Sequence, residues 1–216
     1  MSSIEELECS TQLHPEYDTS ISESTSKKAL ITFIIPTIGR STLIRTLESI
    51  QQNTDDDWNA IVMFDGIEPT IESEDPRIRI MRMEKTGKLN YAGRVRNQAI
   101  YFANTEWIGF VDDDDIIKPT YVSHLKKHIS DHTPDVVIFR MQYHNDDGYI
   151  LPPPGATMFE LNQVGISFCV KRDCFIEDNI WFEPSEIEDF NLLHRLWDQD
   201  KTITISSFVN YVVRPQ

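Results

Sequence analysis

From residue 30 onward apolar residues fall into short blocks set apart by polar ones, and the spacing inside each block predicts an element. Residues 30–35 are an unbroken apolar, β-branched run, which suits a strand buried on both faces and stopped by Pro36. Leu43, Leu47 and Ile50 follow at helical spacing behind Ser41, a candidate cap. Residues 60–64 predict a second buried strand, ended by Asp65-Gly66. Basic and apolar residues alternate over 77–83, as in a half-buried strand. Residues 89–103 predict a helix with Ala92, Val95, Ala99 and Phe102 inward. Residues 107–111 form another buried strand that runs into four aspartates, 112 to 115. Pro119 suits the first position of a helix over 120–129, and 135–141 predict a further strand.

Strands alternating with helices over this first half predict an α/β fold built on a mostly parallel central sheet. After Pro154 the pattern shifts to short strands near 164–170 and 203–213 around a helix at 189–197, which predicts a smaller mixed lobe. Residues 1–28 break the pattern: ten are Ser or Thr, six are acidic and few are apolar. Too little surface is available there to offset ordering entropy, so they read as a polar tail or linker ahead of a single domain over 29–216.

Composition narrows the function classes. At 216 residues, 40% hydrophobic and 25% charged, the chain can bury a core without disulfides or a structural metal. Thirty-five acidic against twenty basic residues leave a net charge of −15, which argues against nucleic-acid or anionic-lipid partners. Cys9, Cys169 and Cys174 are odd in number and lack C-x-x-C spacing, so reduced thiols are expected. No signal-peptide layout opens the chain, and no apolar run nears the ~20 residues of a membrane helix. The expectation is a cytoplasmic protein without a membrane span.

The aspartates 112–115 stand directly after a buried strand, where ligands of open α/β sheets bind. Clustered carboxylates repel unless a cation is present, and oxygen-only donors suit Mg²⁺ or Mn²⁺; the plain alternative is a charged turn. An EF-hand calcium loop counted from Asp112 fails, because its sixth and twelfth places hold Ile117 and Ser123. Seven cations (Arg77, Arg79, Arg82, Lys85, Lys88, Arg94 and Arg96) fall within twenty residues against only Glu84. A diphosphate between this basic island and the aspartates is chemically sensible, since Arg pairs bidentately with phosphate. Arg77, Arg79 and Arg82 read as a solvated strand face; Arg94, Arg96 and Asn97 are the better ligand candidates. Glu186, Glu188 and Asp189 open a helix, either as dipole-complementing caps or with one serving as a general base. His124, His128 and His132 lie four apart but lack a fourth ligand type and read as a solvated face; Trp181 and Trp197 read as core. The absence of G-x-S-x-G, Walker A and G-x-G-x-x-G patterns removes acyl-hydrolase, P-loop and dinucleotide-dehydrogenase readings.

Taken in order, these pieces resemble the family 2 glycosyltransferases of the GT-A fold. Ile34-Ile35-Pro36-Thr37 with Arg40, Asp65-Gly66, Arg96-Asn97 with Ala99, Phe110 to Asp115, and Glu188-Asp189-Phe190 with Leu192 carry the resemblance. It implies a nucleotide-binding half over 29–118 and an acceptor-side half over 119–216. It further implies a nucleotide pocket of Pro36, Thr37, Arg40, Asp65, Arg94, Arg96, Asn97, Asp112 and Asp113, with Mn²⁺ or Mg²⁺ on Asp114 and Asp112. Asp189 would be the base that deprotonates an acceptor hydroxyl, with Glu188 the less favoured candidate. The implied reaction moves a sugar from a nucleoside diphosphate sugar, a UDP-sugar first of all, to a glycan or other hydroxyl acceptor. A catalytically silent domain that binds sugar nucleotide or glycan, or scaffolds a longer polypeptide with further domains, is the alternative. Arg94 and Val95 depart from the small residues usual before the Arg-Asn pair. The family's histidine after the last strand is missing, since the final histidine is His194.

Overall fold

A computed structural model describes residues 28–85, 92–144 and 148–214. The tail read over 1–28 falls, except for Lys28, outside the described residues, as do Lys88 and the first residues of the helix expected from 89. Three parallel strands open the fold: β1 (Ile31–Thr37), β2 (Trp58–Asp65) and β3 (Ile78–Met83), with helix α1 (Leu43–Gln51) between the first two. Helix α2 (Ala92–Phe102) then leads into β4 (Trp107–Phe110), parallel to β1 on its other side. After the aspartates come β5 (Ile116–Ile117), α3 (Tyr121–His132), β6 (Val136–Tyr143) and β7 (Ile150–Leu151). The chain continues through β8 (Phe168–Lys171), α4 (Arg172–Ile176), α5 (Glu188–Asp198) and β9 (Ile203–Val213).

The sheet runs β3-β2-β1-β4-β8-β6-β9-β5, with β7 on β6. β8 is antiparallel to both β4 and β6, while β9 is parallel to β6. The mixed character expected for the second half is therefore present, in strands that extend the sheet of the first half. β1 is buried along its whole length, and β3 alternates as the sequence pattern predicts. Trp58, Trp107, Tyr121, Phe33, Phe64 and Phe110 are fully buried around it. Each such side chain contributes roughly 1.5–3 kcal/mol through lost apolar exposure.

Several local expectations shift. Pro36 does not stop β1, which continues to Thr37. The pairing with β4 ends at Ile34↔Phe110, so at Pro36 the strand has a ladder partner only in β2, where the missing N–H is tolerated. The cap of α1 falls on Thr42 rather than Ser41 and makes no side-chain bond. Helix α3 begins at Tyr121, two residues beyond Pro119. On α2 the buried residues are Gly93, Val95, Arg96, Ala99 and Ile100, so Val95 and Ala99 face inward as expected, while Ala92 is half-buried and Phe102 turns outward to 41% exposure. Two of the three histidines of α3 pack toward β9: His124 stacks on Phe208 with ring centroids 3.7 Å apart, and His128 meets Thr204 Oγ1 at 2.9 Å, while His132 is exposed and stacks on His128. Trp197, expected in the core, is exposed, and Trp181 is partly exposed and stacks on Tyr101. Cys169 and Cys174 are free and buried, and burial pushes both thiols up, Cys174 to about 11. No helix among the described residues is long and apolar enough to cross a membrane.

Candidate active site

The carboxyl ends of β1, β2 and β4 meet at one edge, and strand register decides what faces what. Ile34 pairs with Phe110, so three residues further Thr37 stands level with Asp113. The Thr37 hydroxyl accordingly donates to Asp113 Oδ2 at 2.6 Å. Asp65 ends β2 beside them, buried, with Gly66 turning the chain at φ +73. Gly39 at φ +83 folds the segment after β1 so that its N–H reaches Thr37 Oγ1 at 2.9 Å. The arrangement opens a cleft of about 500 Å³, within the range of small-molecule sites.

Of the residues expected at a nucleotide, Pro36, Thr37, Arg40, Asp65, Arg96, Asp112 and Asp113 line this cleft, and Glu188 and Asp189 line its far wall. Two do not. Arg94 is exposed on the outer side of α2, because two residues along a helix turn a side chain about 200° from Arg96. Asn97 is committed elsewhere: its amide donates to Phe182 O at 2.9 Å and its carbonyl accepts from Phe182 N–H at 3.1 Å. Nor does the basic island converge on the aspartates. Arg77 pairs with Asp75 and Asp56 and lies over Trp58, Arg79 bonds Phe102 O, and Arg82 pairs with Glu68. Among the described residues of that group, only Arg96 lines the cleft.

Arg96 is 3% exposed and holds three carboxylates at once. One guanidinium nitrogen is 2.6 Å from Asp112 Oδ1; the other is 2.6 Å from Glu188 Oε1 and 3.4 Å from Asp189 Oδ1. Burial alone would lower its pKa, but the three acids outweigh burial and hold it firmly charged. Its Nε, also buried, has no partner among the described residues. On the acid side burial raises Glu188, with Arg96 opposing. Burial likewise pushes Asp189 up to about 6, assisted by the charges of Asp112 and Glu188 and opposed by Arg96.

The aspartates after β4 take separate places. Asp112 accepts from Arg96, and its own N–H donates to the Tyr211 hydroxyl at 3.1 Å. Asp113 is buried between Thr37 and Arg40, and burial raises its pKa. Asp114, expected with Asp112 at a metal, is 3.0 Å from Arg40 and is not among the described residues that line the cleft. Asp115 turns inward, accepting from Arg214 N–H at 3.0 Å, and burial pushes it up to about 7. Among the described residues no group of three or more His, Cys, Asp or Glu is disposed to hold a metal. The donor chemistry of Asp112 and Asp114 nevertheless fits Mg²⁺ or Mn²⁺, which in phosphate sites takes one or two carboxylates and fills its shell with phosphate and water oxygens.

Sequence reasoning missed Gly93, Ser185 and Tyr211. Ser185 lines the cleft, and Tyr211 orients Asp112 from β9 across 99 residues of chain. A Cβ on Gly93 would lie 2.7 Å from Glu188 Oε2 and 2.8 Å from Phe182 Cβ. The only signal for it was a small residue three before Arg96 on the inner helix face.

The family model for glycosyl transferase family 2 matches residues 32–185, a segment that runs from β1 to the approach of α5 and includes most of the cleft. The chain belongs to glycosyl transferase family 2. EpsH of Bacillus subtilis (strain 168), named as a glycosyltransferase, is 34% identical over 116 residues, covering 50% of this chain and 32% of EpsH. Glycosyltransferase GlyG of Streptococcus pneumoniae serotype 4 is 27% identical over 152 residues, covering 66% of this chain and 46% of GlyG. The matched regions thus span less than half the length of these relatives. Among solved structures, S. aureus TarS 1-349 in complex with UDP superposes with a TM-score of 0.71 at 17% identity, covering 87% of this chain and 61% of that one. The same TarS segment with UDP-GlcNAc gives 0.69 at 17% identity, over 87% and 59%. At that identity the likeness establishes the fold: this family 2 domain has the GT-A architecture, with its mostly parallel sheet.

Proposed function

We propose that this domain transfers a sugar from a nucleoside diphosphate sugar to a hydroxyl acceptor, with Asp189 as the base. The carrying observation is the two-walled cleft. Asp65, Thr37, Asp112 and Asp113 end the parallel strands on one wall, Asp189 opens α5 on the other, and Arg96 joins them. Support for UDP as the nucleotide comes from the shared fold with TarS, whose structures hold UDP and UDP-GlcNAc.

In this reading Thr37, Arg40 and Asp65 bind the nucleoside, and Arg96 faces the diphosphate from below. Asp112 and Asp114 would hold Mn²⁺ or Mg²⁺, which when bound neutralises charge on the departing nucleoside diphosphate. Asp189 takes the proton from the acceptor hydroxyl as its oxygen attacks the anomeric carbon. A base with a pKa of about 6 is largely ionised at neutral pH yet still basic enough to accept that proton. The domain acts apart from nucleic acid and carries no bilayer-crossing helix among its described residues.

One observation favours a second reading, a domain that binds nucleotide without turning it over: Asp112, Asp113 and Asp114 are already paired with Arg96 and Arg40. Thermal unfolding with UDP, GDP, dTDP and CMP, each with and without Mn²⁺, tests the donor class. A ligand at a hundred times its Kd adds about 2.7 kcal/mol of stability, a readable shift. A metal-dependent shift with UDP alone is expected, and no shift with any nucleotide overturns the site. Asp189→Asn separates the two readings: UDP binding persists while turnover falls by ~10²–10⁴-fold. Unchanged turnover removes Asp189 as the base.

A further inference from the structure

The first described turns of α2 and α5 are joined by more than the Arg96 ion pairs. Glu188 Oε2 accepts the Gly93 N–H at 3.1 Å while Oε1 accepts from Arg96 at 2.6 Å, so both oxygens of one carboxylate are spent on α2. Gly93, Arg96 and Asn97 are three and four apart and therefore share a helix face. All three hold the segment that carries Asp189: Gly93 and Arg96 at Glu188, Asn97 through both backbone groups of Phe182. A Cβ on Gly93 would meet Phe182 Cβ at 2.8 Å as well as Glu188 Oε2 at 2.7 Å, so a side chain there displaces the carboxylate and presses on Phe182.

We infer that Glu188 is a positioning residue, latched to Gly93 and Arg96 of α2 so that the neighbouring Asp189 is held at the cleft, and that it is not itself the base. The inference rests on the glycosyl-transfer reading of the cleft. Its chemistry is plain. A carboxylate with a backbone N–H and a guanidinium already on its two oxygens is poorly placed to take a proton from an acceptor. Asp189, whose partner among the described residues is Arg96 at a longer 3.4 Å, lines the cleft. Glu188 supplies the Gly93 N–H, in the first described turn of α2, with an acceptor from 95 residues away. The stripe also explains why Asn97 faces away from the cleft: it fixes the approach to α5.

Release of UDP from UDP-N-acetylglucosamine with Mn²⁺ is the catalytic probe, alongside UDP affinity and thermal unfolding for each variant. A misplacement near 1 Å costs ~10²-fold in rate, so Glu188→Ala and Gly93→Ala should each lose that much kcat with UDP affinity unchanged. Glu188→Gln, which still offers one acceptor, should recover most of the rate, whereas Asp189→Asn should not. In unfolding, Glu188→Ala with Gly93→Ala should lose less than the sum of the two single losses, since the Gly93–Glu188 contact is broken in each. Additive losses of Tm overturn the latch, as does a Glu188→Gln variant as inactive as Asp189→Asn. Wild-type turnover in Asp189→Asn would overturn the assignment of the base instead, and the unfolding cycle, which needs no substrate, would still decide the latch.

Discussion

Both ends of the parallel strands gather aspartates around one cation, yet the two clusters differ in kind. At the amino ends, Lys126 of α3 meets Asp55 and Asp57, beside a depression of about 370 Å³ lined also by Lys28, Leu30 and Glu106. At the carboxyl ends, Arg96 meets Asp112, Glu188 and Asp189. Lys126 has a side chain 37% exposed against 3% for Arg96. Water reaches the first cluster and weakens its coupling, although against burial Asp55 and Asp57 still hold the Lys126 pKa up. The second is shielded, so each charge shifts its neighbours, and the planar guanidinium fixes three acids in register where an ammonium could only attract them. Charge count alone does not mark a site; burial and the end of the sheet do.

The comparison is broken most directly at the two cations. Replacing Arg96 by Met leaves buried carboxylates unpaired and should cost about 3–5 kcal/mol of stability in denaturant unfolding. A pH series sharpens the same point at Asp189. Its folded pKa of about 6 lies above its ordinary 3.8, so the carboxylate is protonated as pH falls through about 6, and kcat should drop on that acid limb. For stability the sign is opposite: ionising Asp189 in the fold is unfavourable above about 6, and that cost is relieved as pH falls toward 3.8. A limb near 4 would show that burial and the charges of Asp112 and Glu188 do not outweigh the opposing charge of Arg96 at Asp189. Thr37→Val removes the 2.6 Å hydroxyl donor to buried Asp113 and should cost roughly 1.5–3 kcal/mol, the worth of a hydrogen bond to a charged group. Smallest of all, Lys126→Met should change stability by at most ~1 kcal/mol, and salt should abolish even that. A loss as large as that of Arg96 would erase the distinction between the two ends.

Much of the fold was legible because periodicity reports burial directly. The continuous apolar runs of β1, β2 and β4 and the alternation of β3 predicted buried and half-buried strands, and β9 falls on its expected range. The short pieces β5, β7 and α4 were not legible, since two to five residues carry no period. Phe102 and Trp197 were misjudged because apolar character says that a side chain prefers burial, while helix rotation decides whether it gets it.

At the site the sequence by itself determined the chemistry available: four aspartates at a strand end, Asp65-Gly66 after the second strand, Arg96 on a helix and an acidic pair opening another. These follow from local patterns, because a strand end, a turn and a helix start are written in a few adjacent residues. Only the tertiary structure decided which of them meet. Register set Thr37 against Asp113, helix rotation separated Arg94 from Arg96, and packing of α2 against α5 brought Gly93 and Glu188 within 3.1 Å across 95 residues. Such contacts depend on the relative placement of whole elements, and no local pattern along the chain encodes that placement.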